Sequence, residues 1–300
     1  MRKLFIFTSI LILLIISSCQ QGPGEEVLGT DFKNNYIGEV VIDLIPLMPP
    51  EKVHEDSDFR VGTYIRNQGG YKATNVELTL VGFDEDQFYY GLNNGKQYFD
   101  FAETLKTIGT LEGKRLENSQ GDFDRVEYLG RTKTLPEGQE QISFNYGLIL
   151  NYHYSNELVQ EICINPKFYD VSSVGCQSHN VDGQDVRLED GISLIGQGSP
   201  LGVKEMEVVI HPGDKPTLEV RFDVKNLGQG IAKNIQLNLG QLITKPMKCE
   251  VKQKNFRDEQ EATIVCNFNL NDQSSYTAPV YLKFEYDYEL TMPFPFNFVE

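Results

Sequence analysis

The sequence predicts an all-β fold made of two tandem β-sandwiches, and three observations predict it. The stretch Val61–Leu80 recurs without a gap as Val220–Leu239, sharing the frame N-x-G-x-x-x-A-x-N-[VI]-x-L-x-L. Runs with an apolar residue at every second position follow one another along the chain, the period of strands with one face on a core. Hardly any long stretch has the 3.6-residue period of a helix. A repeated segment of this kind means two copies of one module.

At the N-terminus, Arg2 and Lys3 precede an apolar run from Leu4 to Ile16, then Ser17-Ser18-Cys19 and polar residues from Gln20. A charged start, an apolar stretch and small residues before a cleavage point form a secretory signal over residues 1–18. The apolar run is too short for a membrane-spanning helix, which needs about twenty residues. Ile16-Ser17-Ser18-Cys19 resembles the lipobox of prokaryotic lipoproteins, which implies that Cys19 becomes the lipidated first residue of the mature chain. Several acyl chains such as palmitate hold a protein durably, since each buried methylene contributes roughly 0.8 kcal/mol and one chain alone is marginal. Residues 19–36, with Gly22-Pro-Gly-Glu-Glu26, read as a lipidated flexible tether.

The first module is expected over residues 37–180. Its strands are Glu39–Leu44, Phe59–Arg66, Asn75–Val81, Ile142–Tyr154 and Glu161–Ile164. Phe59, Val61, Thr63 and Ile65 alternate with Arg60, Gly62, Tyr64 and Arg66. Asn67 and Gly69 then supply a side chain that bonds local backbone and a residue tolerant of positive φ, so the chain turns. The reading at this point is a β-hairpin from one alternating run to the next, with Ala73 allowing close approach of the opposite sheet. An insertion at about 82–141 makes this module larger than the second, and Phe101–Ile108 within it reads as a short helix. Its Phe88-Tyr-Tyr90, Tyr98-Phe99 and Gly121-Asp-Phe-Asp124 make it the place to look for function.

Residues 181–200 read as a linker and 201–300 as the second module. Its strands are Met206–Ile210, Leu218–Lys225, Asn234–Leu239, Thr263–Leu270 and Val280–Leu290, with Asn226, Gly228 and Ala232 in the places of Asn67, Gly69 and Ala73. The aromatic ladders Phe144, Tyr146, Tyr152, Tyr154 and Phe284, Tyr286, Tyr288 read as core packing rather than a sugar platform. Apart from Cys19 there are four cysteines, an even number that suits disulfides in an exported chain. Of the three connectivities, Cys163–Cys176 with Cys249–Cys266 respects the module boundary. Such loops are worth roughly 3 kcal/mol in the chain-entropy model. Neither pair has zinc-ligand spacing.

The repeated frame resembles the cell-adhesion-related domain of bacteria and archaea (CARDB), a seven-stranded immunoglobulin-like sandwich. The resemblance is carried by residues 59–80 and 218–239. It implies tandem immunoglobulin-like domains on a surface protein, serving as spacers or adhesive modules with no catalytic residues.

Charge and motifs narrow the function further. The chain has 27 basic and 43 acidic residues, and loss of Arg2 and Lys3 leaves 25 against 43, a formal −18. Phosphate backbones repel such a surface, so nucleic acid is not an expected partner. Glu55-Asp-Ser-Asp58, Asp84-Glu-Asp86 and Asp182-Gly-Gln-Asp185 offer oxygens, yet none follows a calcium-loop spacing. His54, His153, His179 and His211 are scattered outside any metal frame, and G-x-S-x-G, phosphate-binding and dinucleotide motifs are missing. The expectation is therefore a non-enzyme without cofactor or metal, lipid-anchored through Cys19 on the extracytoplasmic face of the cell membrane. It serves as a structural or adhesive module for another envelope or surface protein, and a small-molecule ligand is left unassigned. Two alternatives stand beside it: a glycan- or calcium-binding protein using the insertion, and an accessory subunit of an envelope export or assembly complex.

Overall fold

The computed structural model describes residues 38–93, 95–98, 104–166, 184–186, 198–211, 213–251, 261–270 and 274–300. These residues form strands and connections, with no helix among them. In chain order the strands are β1 (Val40–Leu44), β2 (Val53–His54), β3 (Asp58–Asn67), β4 (Ala73–Val81), β5 (Gly91–Asn93), β6 (Lys96–Tyr98), β7 (Leu105–Leu111), β8 (Phe123–Arg131) and β9 (Gln141–Ile164). There follow β10 (Gln184–Val186), β11 (Leu201–His211), β12 (Thr217–Asn226), β13 (Ile231–Leu242), β14 (Lys245–Pro246), β15 (Lys248–Val251), β16 (Glu261–Asn269) and β17 (Tyr276–Val299).

The alternation read in the repeats is present, with Phe59, Val61 and Ile65 buried in one copy and Leu218, Val220, Phe222 and Val224 in the other. The hairpin is not. β3 pairs with β1 and β8, whereas β4 pairs with β7 and β9. β12 likewise pairs with β11 and β16, while β13 pairs with β14 and β17. Each repeat is therefore an arch that carries the chain from one sheet to the facing sheet. Alternation alone cannot separate the two cases, because a strand has the same inward face whether its successor lies beside it or across the core.

Two outer sheets result, β1-β3-β8 and β10-β11-β12-β16-β15. A third sheet, ordered β14-β13-β17-β9-β4-β7 with β2 on β17, faces both of them. Its centre is a ladder of two 24-residue strands, β9 and β17, antiparallel from Tyr276↔Ile164 to Val299↔Gln141. The N-terminal half of β9 pairs with β4 through Gly147–His153, and the N-terminal half of β17 pairs with β13 through Val280–Glu289. Neither strand then turns back. β9 runs on beside the first half of β17, and β17 runs on beside the first half of β9, so each half of the chain lends its last strand to the other. The expected separate strands Ile142–Tyr154 and Glu161–Ile164 are thus one strand.

Burial explains why the long strands continue. Phe294, Phe296 and Phe298, at the end of the chain, are buried, and the Phe296 ring lies 4.8 Å from Phe59, 5.8 Å from Phe88 and 5.3 Å from Tyr146. Leu158 and Ile162 are buried opposite Leu282 and Ala278 in the other half. Each such side chain contributes about 1.5–3 kcal/mol on burial. Within the insertion, Leu105–Leu111 forms a strand on β4 where a helix was expected; residues 101–103 lie outside the described residues. Gly109 takes φ 95°, which interrupts a helix, and Thr107, Ile108 and Thr110 suit a pleated edge.

Candidate functional site

The residues singled out in the repeat converge where the two halves meet. Asn67 Oδ1 accepts the Gly69 N–H at 2.9 Å, and its Nδ2 donates to the carbonyls of Tyr71 at 2.8 Å and Leu111 at 2.9 Å. Asn226 repeats the device: Oδ1 accepts from Gly228 N–H at 3.2 Å and Nδ2 donates to Gly230 O at 2.9 Å. Both asparagines are buried, so the amide replaces water for backbone that would otherwise be orphaned in the arch. The glycines are required by space. A Cβ on Gly69 would lie 1.8 Å from Tyr154 Oη, and one on Gly228 would lie 2.3 Å from Tyr288 Oη.

Those two phenols belong to a quartet, Tyr152 and Tyr154 on β9 with Tyr286 and Tyr288 on β17. Tyr152 faces Tyr288 and Tyr154 faces Tyr286 across the ladder, with ring centroids 5.4 and 6.2 Å apart. Tyr154 Oη accepts the Tyr71 N–H and donates to Gly198 O, each at 3.2 Å. Tyr288 Oη accepts the Gly230 N–H at 2.8 Å and donates to Asn226 Oδ1 at 3.2 Å. Tyr152 Oη accepts the N–H of Val40 at 3.3 Å. Burial pushes all four phenols well above their ordinary range, so they stay neutral.

The connections into the halves cross here as well. Gly70 N–H donates to Gly198 O at 2.7 Å, so the lead-in to β11 rests on the first arch. Glu39 Oε2 accepts the Gln229 N–H at 3.3 Å, so the lead-in to β1 rests on the second. On the solvent side of the same point, Thr74, His153, Asp287 and Lys233 form a row across β4, β9, β17 and β13. His153 Nδ1 lies 3.0 Å from Asp287 Oδ1, Glu285 Oε2 is 3.8 Å from Nε2, and Asn234 Nδ2 donates to Asp287 Oδ2 at 2.9 Å. Burial acts to raise the Asp287 carboxyl, but the hydrogen bonds from Asn234 and His153 hold it below its ordinary value. The imidazole of β9 thus faces a carboxylate of β17 on each nitrogen.

One feature of the repeat escaped the sequence reading. Asn75 and Asn234, the second asparagine of the frame, take φ 51° and 55° and sit at matching interruptions of register, between Thr74 and Glu77 and between Lys233 and Gln236. They make the bulges that bend β4 and β13 around the long ladder. Asparagine tolerates this left-handed conformation better than other non-glycine residues, which was the available signal.

The insertion is mostly packing. Phe83 and Phe88 join the aromatic core, with Phe83 stacked on Tyr146 at 3.8 Å. Tyr98 is buried and donates to Asp58 Oδ1 at 2.8 Å; Lys96 reaches Asp58 Oδ2 at 2.5 Å and Arg131 reaches Oδ1 at 2.9 Å. The Lys96 bond, followed by Tyr98 and Arg131, lowers the Asp58 carboxyl to about 2 against the opposing effect of burial. Of the acidic runs considered for calcium, Asp56 and Asp58 thus bond to Arg131 and Lys96, and Asp84 accepts the Asp86 N–H at 3.0 Å. Asp182 lies outside the described residues, and of Gln184–Val186 only the strand is described. Among the described residues no three His, Cys, Asp or Glu side chains gather to hold a metal.

Cys249 and Cys266 are bonded and directly opposite on β15 and β16, with Gly240 of β13 beneath them. Cys163 is also in a disulfide. Cys176 and Cys19 lie outside the described residues. No helix among the described residues is long and apolar enough to cross a membrane.

No family model matches the chain, and no curated protein does. Among solved structures, it is similar to Spo0M, the sporulation control protein from Bacillus subtilis, at 9% identity over 63% of this chain and 79% of that one. The TM-score is 0.15, a likeness too slight to carry an argument.

Proposed function

We propose that the chain is a membrane-anchored surface lipoprotein that acts as a non-catalytic structural or adhesive module for another envelope or surface protein. The observation that carries the reading is the exchange of β9 and β17, by which each half of the chain lends a long strand to the other and buries tyrosines along the shared ladder. A spacer or adhesive module needs halves so joined, because recognition through faces and strand edges depends on holding them in fixed relation. Support for the anchor comes from Ile16-Ser17-Ser18-Cys19, and support for the adhesive role from the resemblance of both repeats to CARDB modules.

Mass analysis of the mature N-terminus tests the anchor, with a diacylated or triacylated Cys19 expected; an unmodified Cys19, or a chain starting elsewhere, refutes it. Pull-down from solubilised envelope tests the interaction role. A stable envelope or surface protein is expected, and catalytic turnover of a substrate by the purified chain would overturn it.

A further inference from the structure

The duplicated halves differ at one sheet edge. In the second half the outer edge of β16 is covered by β15, with Lys248↔Asn267 and Glu250↔Val265 in register. The equivalent strand in the first half is β8, because Arg66↔Phe123 and Lys225↔Glu261 are the corresponding pairs before each arch asparagine. β8 ends its sheet, so Glu127 and Leu129 stand where Val265 and Asn267 receive β15.

Hydrogen-bond parity identifies the open groups. Asn67 N–H donates to Asp122 O and Thr132 N–H to Ser57 O, so the even-numbered residues of β8 face β3. Arg131 O accepts from Tyr89 N–H on the opposite side, in agreement. Phe123, Arg125, Glu127 and Leu129 therefore direct their backbone groups outward. Arg125 N–H is taken up locally by Asp124 Oδ1 at 2.7 Å. Among the described residues no backbone bond reaches the outward groups of Glu127 and Leu129.

We propose that this edge pairs with β8 of a second copy of the chain, antiparallel about a two-fold axis at Val126, to make one six-stranded sheet across a dimer. The sequence of the edge selects the partner and the register. With Val126 opposite its own copy, Arg125 meets Glu127 twice and the exposed Phe123, 59% accessible, meets Leu129 twice on the same face. Moving the axis to Glu127 sets two carboxylates together, and moving it to Arg125 sets two guanidinium groups together. Charges on an edge usually deter pairing, but here their alternating sign makes the strand complementary to itself in one register. Arg60 and, from the same strand, Arg125 already pair with Glu127 inside one copy, with Arg60 at 2.6 Å, which holds the carboxylate on that face where a second Arg125 would meet it. The inference is independent of lipidation at Cys19.

Sedimentation of the full chain in non-ionic detergent, from nanomolar to roughly 100 µM, tests it. A reversible dimer is expected. Arg125→Glu or Glu127→Arg alone should weaken it roughly tenfold or more, since each places like charges opposite twice. The triple variant Arg60→Glu/Arg125→Glu/Glu127→Arg should restore it, the change at residue 60 keeping an opposite charge beside residue 127. Glu127→Pro removes an outward N–H together with the surface ion pairs to Arg60 and Arg125, and should leave a folded monomer by circular dichroism. A monomer over the whole range, a dimer indifferent to the single variants, or no rescue by the triple variant each overturns the proposal. So does a foreign segment bound on β8 of a monomer.

Discussion

Tyr154 and Tyr288 perform one task in the two halves of the molecule: each phenol caps a buried arch amide, Tyr71 N–H at 3.2 Å and Gly230 N–H at 2.8 Å. Each sits on the long strand of its own half, at the place where that strand leaves for the other half. The arch is therefore tied to the exchange, and loss of either phenol should loosen both.

Tyr288→Phe leaves the Gly230 amide and part of Asn226 unpaired in a water-free site. A loss of about 1–3 kcal/mol is expected in denaturant melts, with a similar loss for Tyr154→Phe.

Phe296→Ala reports on the exchange itself. Phe296 is near the end of the chain, yet it packs on Phe59, Phe88 and Tyr146 of the first half. A cost of about 3–5 kcal/mol is expected. Hydrogen exchange should show faster opening of β3 and β8; faster opening confined to β12 and β16 would contradict the strand assignment.

At Asn75 the backbone conformation is decisive. With φ at 51°, Asn75→Gly should be nearly neutral, whereas Asn75→Val should cost about 1–2 kcal/mol. Paired urea titrations of the two variants check the difference.

Gly240 has space for no side chain while the disulfide is present. A Cβ there would lie 2.5 Å from Cys249 Sγ. Gly240→Ala should destabilise the intact protein by about 1–3 kcal/mol. In a Cys249→Ala/Cys266→Ala background the added methyl has room, and a double-mutant cycle should recover most of that loss.

Asp58 gives the first half an acid-sensitive contact. Its carboxyl is lowered from 3.8 to about 2, mainly by the Lys96 hydrogen bond, so the charged form is favoured in the folded chain. That contribution is complete above 3.8 and fades as pH falls from there through about 2. The group is partly exposed, so added salt should also reduce it. The stability gap between the native chain and Asp58→Asn should close over this acid window and not above it.

The sequence by itself determined the all-β class, the duplication and the residues of both arches, because alternation, Asn-x-Gly and close-packed alanine are local requirements of strands and turns. It also marked Cys249 and Cys266 as a pair, since a short loop in each repeat contained two cysteines. Only the tertiary structure decided that the repeat is an arch rather than a hairpin, for an inward-facing strand looks the same in either. Only the tertiary structure decided that β9 and β17 run through both halves. The alternation of Tyr276 to Phe298 is unbroken and that of Tyr146 to Ile164 is interrupted by the polar residues Asn156 and Gln160, but which core each segment fills depends on pairing between residues far apart in the chain. The second asparagine lay between these cases: its identity was visible in the frame, and its role as a left-handed bulge appeared only once β4 and β13 had long partners to bend around.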